Sequence, residues 1–170
     1  MTEFSAPTFL ELYGEGVTLR ELRLNDAELY FNLVEADRGH LSQFGDTTAD
    51  KYPDVLTVEQ SILNQPPNVH RFGIWNDEQD IMVGLIKTTQ GKHGVCEVGY
   101  WVGGRHTGHG YASRSLPAIT EYSYSTLHAP VVYAEVVVGN QASRKSLEKS
   151  GYVITDEVNG RWIMTHRREQ

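Results

Sequence analysis

Apolar and polar residues alternate along the chain in a way that predicts a mixed α/β fold. A period of two predicts seven strands, at residues 17–23, 70–75, 81–89, 95–102, 131–138, 152–158 and 161–165. Capping residues followed by apolar residues at helical spacing predict four helices, at residues 25–36, from 57 to just before Pro66, at 111–126 and at 140–150. Tight turns join the three consecutive strands between residues 70 and 102, so we expect antiparallel neighbours there. The element order indicates an α/β (α+β) fold with a central, mixed, mostly antiparallel sheet.

Local signals make this expectation more specific. Residues 1–16 are expected to form a loose lead-in. Asn25 is the expected N-cap of the first helix, which should bury a face that includes Leu29. The β-branched run at 131–138 is expected to be buried on both faces. Pro117 predicts a kink in the third helix or a later helix start, because proline removes a backbone donor.

Length and charge narrow the class of protein. The chain has 170 residues, which favours a single domain over residues 1–170, and its net charge of −7 lacks the basic field of a non-specific nucleic-acid or membrane binder. Cys96 is the only cysteine, which excludes an intrachain disulfide and a Cys-x-x-Cys metal site. The longest apolar stretch is interrupted by Glu135 and is too short to span a bilayer, and the N-terminus lacks a basic and apolar leader. We therefore expect a cytoplasmic protein that binds neither membrane nor nucleic acid directly.

The sharpest chemical signal is a glycine-rich loop at residues 103–110, which follows a predicted strand and opens a predicted helix. Glycines allow tight turns that bring backbone N–H groups close to an anion, and a helix N-terminus adds partial positive charge. The loop lacks the Gly-Lys-Ser/Thr of a Walker A motif and the first glycine of a dinucleotide-binding fingerprint. We interpret it as a different kind of pyrophosphate cradle.

Two motifs make the chain resemble the GNAT superfamily of acyl-CoA N-acyltransferases. Arg105-x-x-Gly108-x-Gly110 fits the family's Gln/Arg-x-x-Gly-x-Gly/Ala signature, and Asn140 followed by Gly151-Tyr152 fits its second signature. The resemblance covers residues 17–167 and implies a splayed sheet flanked by about four helices, with acetyl-CoA as cosubstrate and no metal. The cofactor-binding residues that it implies are Trp101, Val102, Gly103, Arg105, His106, Thr107, Gly108, His109, Gly110, Tyr111, Ala112 and Asn140.

Further sequence runs are similar to the RimJ/RimL-like branch, which resembles ribosomal-protein N-terminal acetyltransferases. Many family members carry a tyrosine acid seven residues after the asparagine, where this chain has Leu147. The RimL-like branch instead has a serine three residues after the asparagine, and Ser143 matches it. Ser143 is therefore the candidate general acid for the departing thiolate, and Glu97 is the candidate base for the amine, acting directly or through water. A backbone N–H near Trp101 and Val102 is the candidate donor to the oxyanion.

The sequence leaves the acceptor open. An N-terminal α-amine of a protein or peptide is the leading prediction, and a small-molecule amine such as a polyamine, aminoglycoside or aminoacyl conjugate is the second. A non-catalytic CoA-binding sensor is an alternative of another class. The acidic composition favours a cationic acceptor. His106 and His109 are expected to contact phosphate or solvent and Cys96 to be a buried apolar residue, and the protein is expected to be a monomer or homodimer.

Overall fold

The computed structural model describes residues 9–169, which form one eight-stranded sheet with helices on both faces. The strands are β1 (Glu11–Tyr13), β2 (Val17–Glu21), β3 (Val69–Asn76), β4 (Ile81–Gln90), β5 (Cys96–Val102), β6 (Val132–Val137), β7 (Tyr152–Val158) and β8 (Arg161–His166). The helices are α1 (Ala27–Glu35), α2 (Arg38–Leu41), α3 (Thr48–Lys51), α4 (Val55–Leu63), α5 (Tyr111–Ser125) and α6 (Gln141–Lys149). The strand order is β1-β2-β3-β4-β5-β6-β8-β7.

Every neighbouring pair in the sheet is antiparallel except β5 and β6, which run parallel. The expected mixed, mostly antiparallel α/β fold is therefore confirmed. Among the described residues, four helices have nine or more residues, as expected, and α2 and α3 add two single turns.

The helices divide the core between the two faces of the sheet. α5 packs on one face, where Leu116 and Ile119 are fully buried against strand residues such as Ile74 and Val98. α1 and α4 pack on the other face, where Tyr30 and Val58 are buried. Side chains on the two faces of the sheet therefore pack against two different layers of helices.

Several local expectations prove wrong. The lead-in contains β1, which pairs with β2 at the sheet edge, and residues 1–8 lie outside the described residues. Asp26, rather than Asn25, is the N-cap of α1, and its carboxylate accepts the Arg23 N–H across the preceding 3₁₀ turn, Leu24–Asp26. The buried face of α1 consists of Ala27, Tyr30 and Val34, and the side chain of Leu29 is exposed.

The two other corrections concern β6 and α5. β6 is buried on one face only, because Val132, Ala134 and Val136 are buried whereas Glu135 is exposed. The helix α5 begins at Tyr111 with Pro117 inside it, so the expectation of a later start is wrong. Proline leaves the Ser113 carbonyl without its helical donor, and the Ser150 hydroxyl of α6 donates to that carbonyl at 3.4 Å.

Candidate active site

The sheet opens between β5 and β6. The two parallel strands pair only at Cys96 with Val132 and at Glu97 with Tyr133, whereas β5 stays paired with β4 as far as Val102. Beyond the paired residues, the two strands diverge and leave a V-shaped slot in the middle of the sheet. The expected splayed sheet is present.

Hydrogen bonding shows which groups of β5 face the slot. Gly103 N–H donates to the Val83 carbonyl on the β4 side at 2.9 Å, whereas Cys96 N–H donates to the Val131 carbonyl on the β6 side at 3.0 Å. Successive N–H groups of a strand point to opposite sides, and the β4–β5 register has no shift. The N–H groups of Val98, Tyr100 and Val102 therefore point into the slot. The N–H of Trp101 points toward β4, so of the two residues that the sequence nominated for this donor, only Val102 presents an N–H to the slot.

The glycine-rich loop closes one end of the slot and leads into α5. Gly108 and Gly110 have positive φ angles of 78° and 74°, in the left-handed region that favours glycine. A Cβ at Gly108 would meet nothing within 4 Å, and one at Gly110 would meet nothing nearer than 3.6 Å. Gly110 is also the N-cap of the 15-residue α5, so the loop presents open space at a helix N-terminus. These features fit a pyrophosphate.

Two side chains that the sequence analysis missed hold this loop in place. The Arg114 guanidinium donates to the carbonyls of His109 at 3.0 Å, Gly110 at 3.3 Å and Glu15 at 3.0 Å. The Asp37 carboxylate accepts from Gly104 N–H at the start of the loop. The contact of Arg114 with the loop could have been predicted, because Arg114 lies one helical turn after Gly110. The contact of Asp37 could not, because Asp37 and Gly104 are 67 residues apart in the sequence.

A cleft of about 1090 Å³ runs from this loop across β5 to the layer formed by α1–α4. The nominated residues Trp101, Val102, His106, Thr107, Gly108, Gly110, Tyr111, Ala112 and Asn140 line it, as do Ser143 and Glu97. Gly103 and Arg105 line a smaller neighbouring pocket instead, together with His106. His109 lines neither, and its ring lies 6.0 Å from that of Tyr111.

Ser143 forms a hydroxyl pair with Tyr100 at the first turn of α6. The Asn140 side chain caps this helix by accepting the Ser143 N–H at 3.2 Å, which leaves the Ser143 hydroxyl for other contacts. Ser143 Oγ lies 2.8 Å from the Tyr100 hydroxyl, which also lies 3.2 Å from the Ser143 carbonyl. Burial raises the pKa of Tyr100 to about 12. Leu147 is fully buried in the core and borders the cleft as an aliphatic side chain, which has no proton to donate.

Glu97 lies on the opposite face of β5 from this hydroxyl pair. Side chains alternate along a strand, so Glu97 and Trp101 share the α1–α4 face, whereas Val98 and Tyr100 face α5 and α6. Partial burial raises the pKa of Glu97, and the nearby Glu135 carboxylate raises it further. The Tyr133 hydroxyl donates to Glu97 at 3.4 Å. A half-buried carboxylate with a raised pKa is suited to accept a proton near neutral pH.

The remaining groups that could carry chemistry, among them Cys96 and His106, are not assigned a role in the reaction. Cys96 is buried in the core, and burial raises the pKa of its thiol. Burial lowers the pKa of His106. Residues 9–169 contain no group of three or more potential metal-ligating side chains. None of the helices in this part of the chain is long and apolar enough to cross a membrane.

Comparison with known proteins decides the family. The acetyltransferase (GNAT) domain family matches residues 17–153. The chain belongs to the GNAT acetyltransferase family. The probable N-acetyltransferase YjcK of Bacillus subtilis is 27% identical over 150 residues, which covers 83% of this chain and 82% of YjcK. The resemblance that the two motifs carried is thereby confirmed, and the protein is an acetyl-CoA-dependent N-acetyltransferase.

Solved structures with the same fold carry different names. RimL, the ribosomal L7/L12 α-N-protein acetyltransferase in complex with coenzyme A, aligns with a TM-score of 0.78 at 17% identity, covering 92% of this chain and 96% of RimL. A spermidine N-acetyltransferase SpeG chimera from Vibrio cholerae and hSSAT aligns with a TM-score of 0.71 at 20% identity, covering 89% and 95%. Since identities this low establish the fold alone, the acceptor has to be argued from this chain's own cleft.

Proposed function

We propose that this GNAT enzyme transfers an acetyl group from acetyl-CoA to the N-terminal α-amine of a protein or peptide, by direct attack within a ternary complex. The observation that carries this proposal is the arrangement of three kinds of functional group around β5. The free N–H groups of β5 line the slot, the hydroxyl pair of Ser143 and Tyr100 lies on one face of the strand, and Glu97 lies on the other.

The loop and the slot supply the binding site for the cosubstrate. The N–H groups around Gly108 and Gly110 would hold the pyrophosphate, with Arg114 fixing the loop carbonyls away from it. The pantetheine arm would pair with the free edge of β5 in the manner of an added strand. Acetyl-CoA supplies a thioester whose thiolate is a tolerable leaving group, with a thiol pKa of about 8.5.

The residues of the chain then divide the remaining tasks. Glu97 accepts a proton from the incoming ammonium, directly or through water, because only the neutral amine has a lone pair for attack. The N–H groups of Tyr100 and Val102 both point into the slot, and one of them donates to the carbonyl oxygen as negative charge develops there. The neutral amine adds to the thioester carbonyl to form a tetrahedral oxyanion, and the added nitrogen loses its second proton to water. The oxyanion then collapses with cleavage of the C–S bond, while Ser143 donates a proton to the departing sulfur.

Tyr100 makes Ser143 a more effective acid. An aliphatic hydroxyl is about as weak an acid as water and therefore a much weaker acid than a phenol. With the phenol at 2.8 Å, Ser143 Oγ can receive the Tyr100 proton as it releases its own, so that the charge settles on a phenolate instead of an alkoxide. We therefore propose that Ser143 protonates the sulfur directly and that Tyr100 reprotonates Ser143.

The length of the cleft on the acceptor side favours a peptide end over a compact amine. The whole cleft of about 1090 Å³ has to hold the pyrophosphate and pantetheine arm of acetyl-CoA as well as the acceptor. On the acceptor side it extends past Trp101 to the exposed segment around Phe44. A chain terminus can enter such an open groove with its first residues, while the rest of the partner stays outside.

The test is a thiol-release assay with acetyl-CoA and a panel of short peptides that differ in their first residue. Each peptide is matched by a copy with a formylated N-terminus, and spermidine and free lysine are included. We expect release with free N-termini and none with the blocked copies. Release with spermidine alone would assign a small-molecule acceptor, and release with no amine in a protein that binds CoA would assign a sensor.

A further inference from the structure

Two basic residues stand side by side across the sheet on the acceptor face of the cleft. In the strand register, Arg71 of β3 is opposite Lys87 of β4, and Lys87 is opposite Gly99 of β5. Directly paired residues point to the same face, so this row leads from Arg71 to the free edge of β5. Gly99 adds no side chain, and a Cβ there would lie 3.4 Å from Lys87 Cε, which shows that the lysine leans over it.

Arg71 is a buried cation whose partners are all neutral. Its relative exposure is 7%, and it donates to the Gln65 side chain at 2.6 Å, to the Ser61 carbonyl at 2.9 Å and to the Tyr52 hydroxyl at 3.2 Å. The ion pairs formed within residues 9–169 include neither Arg71 nor Lys87. Buried charges are normally compensated by an opposite charge, and like charges directly opposite each other on a sheet are unfavourable.

The charge of the cleft is opposite to that of the whole chain. Six lysine or arginine residues line it against three aspartate or glutamate residues, although the net charge of the protein is −7. Two of the six, Lys145 and Lys149, belong to α6 on the cosubstrate side, so at most four lie on the acceptor side. Lys87 opposes part of the rise in the pKa of Glu97, which burial and Glu135 cause, but the two do not form an ion pair. Glu97 pairs with Tyr133 at the closed end of the slot, two residues before Gly99 on β5.

We propose that the acceptor carries an anionic group, a carboxylate within its first few residues, which binds Lys87 and Arg71 while the amine reaches the slot beside Gly99. This inference rests on the proposed function and names its substrate class as an acidic peptide N-terminus. Strands are spaced by about 4.8 Å, so Lys87 and Arg71 lie one and two strands, about 5 and 10 Å, from the reacting edge. That span matches side chains in the first positions after the amine.

This proposal reverses the expectation drawn from composition. The acidic balance of the chain favoured a cationic acceptor such as a polyamine, but those acids lie mostly outside the cleft. A polycation in this cleft would bring positive charge toward Lys87 and Arg71, neither of which forms an ion pair with a carboxylate of residues 9–169. The local field, which acts at short range, decides which acceptor is bound.

The experiment compares three peptides with the same first residue, followed by two glutamates, two glutamines or two lysines. In the wild-type enzyme we expect kcat/KM to be at least about 10-fold higher for the glutamate peptide than for the glutamine peptide, and lowest for the lysine peptide. The glutamate preference should shrink as salt is raised from low to physiological ionic strength, because the lysine is exposed.

Lys87→Gln should remove most of this preference, and Lys87→Glu should reverse it toward the lysine peptide. Lys92→Gln, an exposed lysine in the turn between β4 and β5, is the matched control and should keep the wild-type ratio. Arg71→Lys keeps the charge but loses the fork of donors, and it should lower the glutamate preference less than Lys87→Glu does.

Two results would overturn the inference while leaving the proposed function intact. One is acetylation of all three peptides with no preference for glutamate, and the other is a glutamate preference that Lys87→Gln and Lys87→Glu leave unchanged. If none of the three peptides is acetylated by an enzyme that releases thiol with another amine, the peptide N-terminus itself is refuted as the acceptor.

Discussion

Removing the hydroxyl of Tyr100 tests whether the pair with Ser143 carries a proton. Tyr100→Phe keeps the ring, which packs against the α5 layer, and deletes only the atom that lies 2.8 Å from Ser143 Oγ and 3.2 Å from the Ser143 carbonyl. The fold should tolerate this change. One net hydrogen bond contributes about 1 kcal/mol, which corresponds to a decrease of about 2–4 °C in Tm for a chain of this size.

The pKa of Tyr100 sets the expected catalytic effect. Its phenol, with a pKa of about 12, is a weaker acid than an alkyl thiol, whose pKa is about 8.5. This difference of about 3.5 corresponds to roughly 5 kcal/mol for complete proton transfer to the sulfur. An unassisted aliphatic hydroxyl is a weaker acid still, so its proton transfer costs more. Since the proton is only partly transferred in the transition state and the thiolate leaves fairly well unaided, we expect a decrease in kcat of about 10–100-fold.

Steady-state kinetics with a saturating acceptor measure this effect. Tyr100→Phe and Ser143→Ala should each lower kcat by a similar factor while leaving the KM for acetyl-CoA nearly unchanged, the pattern of an interaction made in the transition state. The double variant should be little worse than either single variant, because both remove the same pathway. Proton inventories in mixed H₂O and D₂O should indicate two protons in flight for the wild type and one for Tyr100→Phe.

A control separates proton transfer from packing. Tyr122→Phe deletes a hydroxyl that contacts His70 of β3, two strands away from β5, so it should keep wild-type kcat. Wild-type kcat in both Tyr100→Phe and Ser143→Ala would refute the assignment and reduce Ser143 to a residue of the helix start. Independent, multiplicative losses in the double variant would refute the relay while leaving Ser143 as a separate acid.

Three further predictions concern the loop and the base. Gly108→Val and its control Gly160→Val both place a side chain at a positive φ in open space, so both variants should lose about 1–2 kcal/mol of stability. Calorimetry should show at least a 10-fold loss of CoA affinity for Gly108→Val only. Equal CoA affinities of the two variants would refute the loop as the pyrophosphate site. Arg114→Ala should weaken CoA binding through the loop carbonyls that it releases, and unchanged affinity would show that the loop holds its shape without it. Glu97→Gln should lower kcat/KM at least about 10-fold at neutral pH. It should also abolish the decrease in kcat/KM at acid pH, whose midpoint in the wild type should lie above the ordinary glutamate pKa of about 4.3. Because the native pKa is raised, the stability linked to Glu97 is present at low pH and lost as pH rises through that value, so Glu97→Gln should not lower Tm at pH 7.

The sheet was predictable because alternation reports burial of one face. The predicted strands between residues 70 and 102 agree with β3, β4 and β5 to within a residue, and Asn159-Gly160, with φ angles of 51° and 75°, forms the hairpin turn between β7 and β8. β1 was missed because three residues at a sheet edge carry too little pattern. The buried face of α1 was predicted wrongly because Leu29 is more apolar than Tyr30. In the structure, α1 is oriented so that Tyr30 is buried and Leu29 is exposed.

The site was predictable where its residues are close in sequence. The loop before α5 and the cap of α6 each lie within a dozen residues, so the short motifs that resemble the GNAT signatures indicated Gly108, Asn140 and Ser143, and all three line the cleft. Tyr100 and Ser143 are 43 positions apart, and the row from Arg71 to Gly99 exists only through strand register. Register depends on the turn and the packing of every strand, so a pattern of single residues does not contain it.

The slot between β5 and β6 connects the stability of the fold to the binding of the cosubstrate. β5 is held by seven register pairs with β4 and β6 by five with β8, whereas only two pairs join β5 to β6. The sheet therefore forgoes ladder hydrogen bonds at Val98, Tyr100 and Val102, and an unpaired backbone donor is costly once it leaves water. A ligand arm that enters the slot as an extra strand satisfies those groups and converts a cost to the free protein into binding free energy. The enzyme should accordingly gain more stability from CoA than loop contacts alone supply, and Gly108→Val should retain part of the thermal shift at high CoA concentration because the slot is still intact.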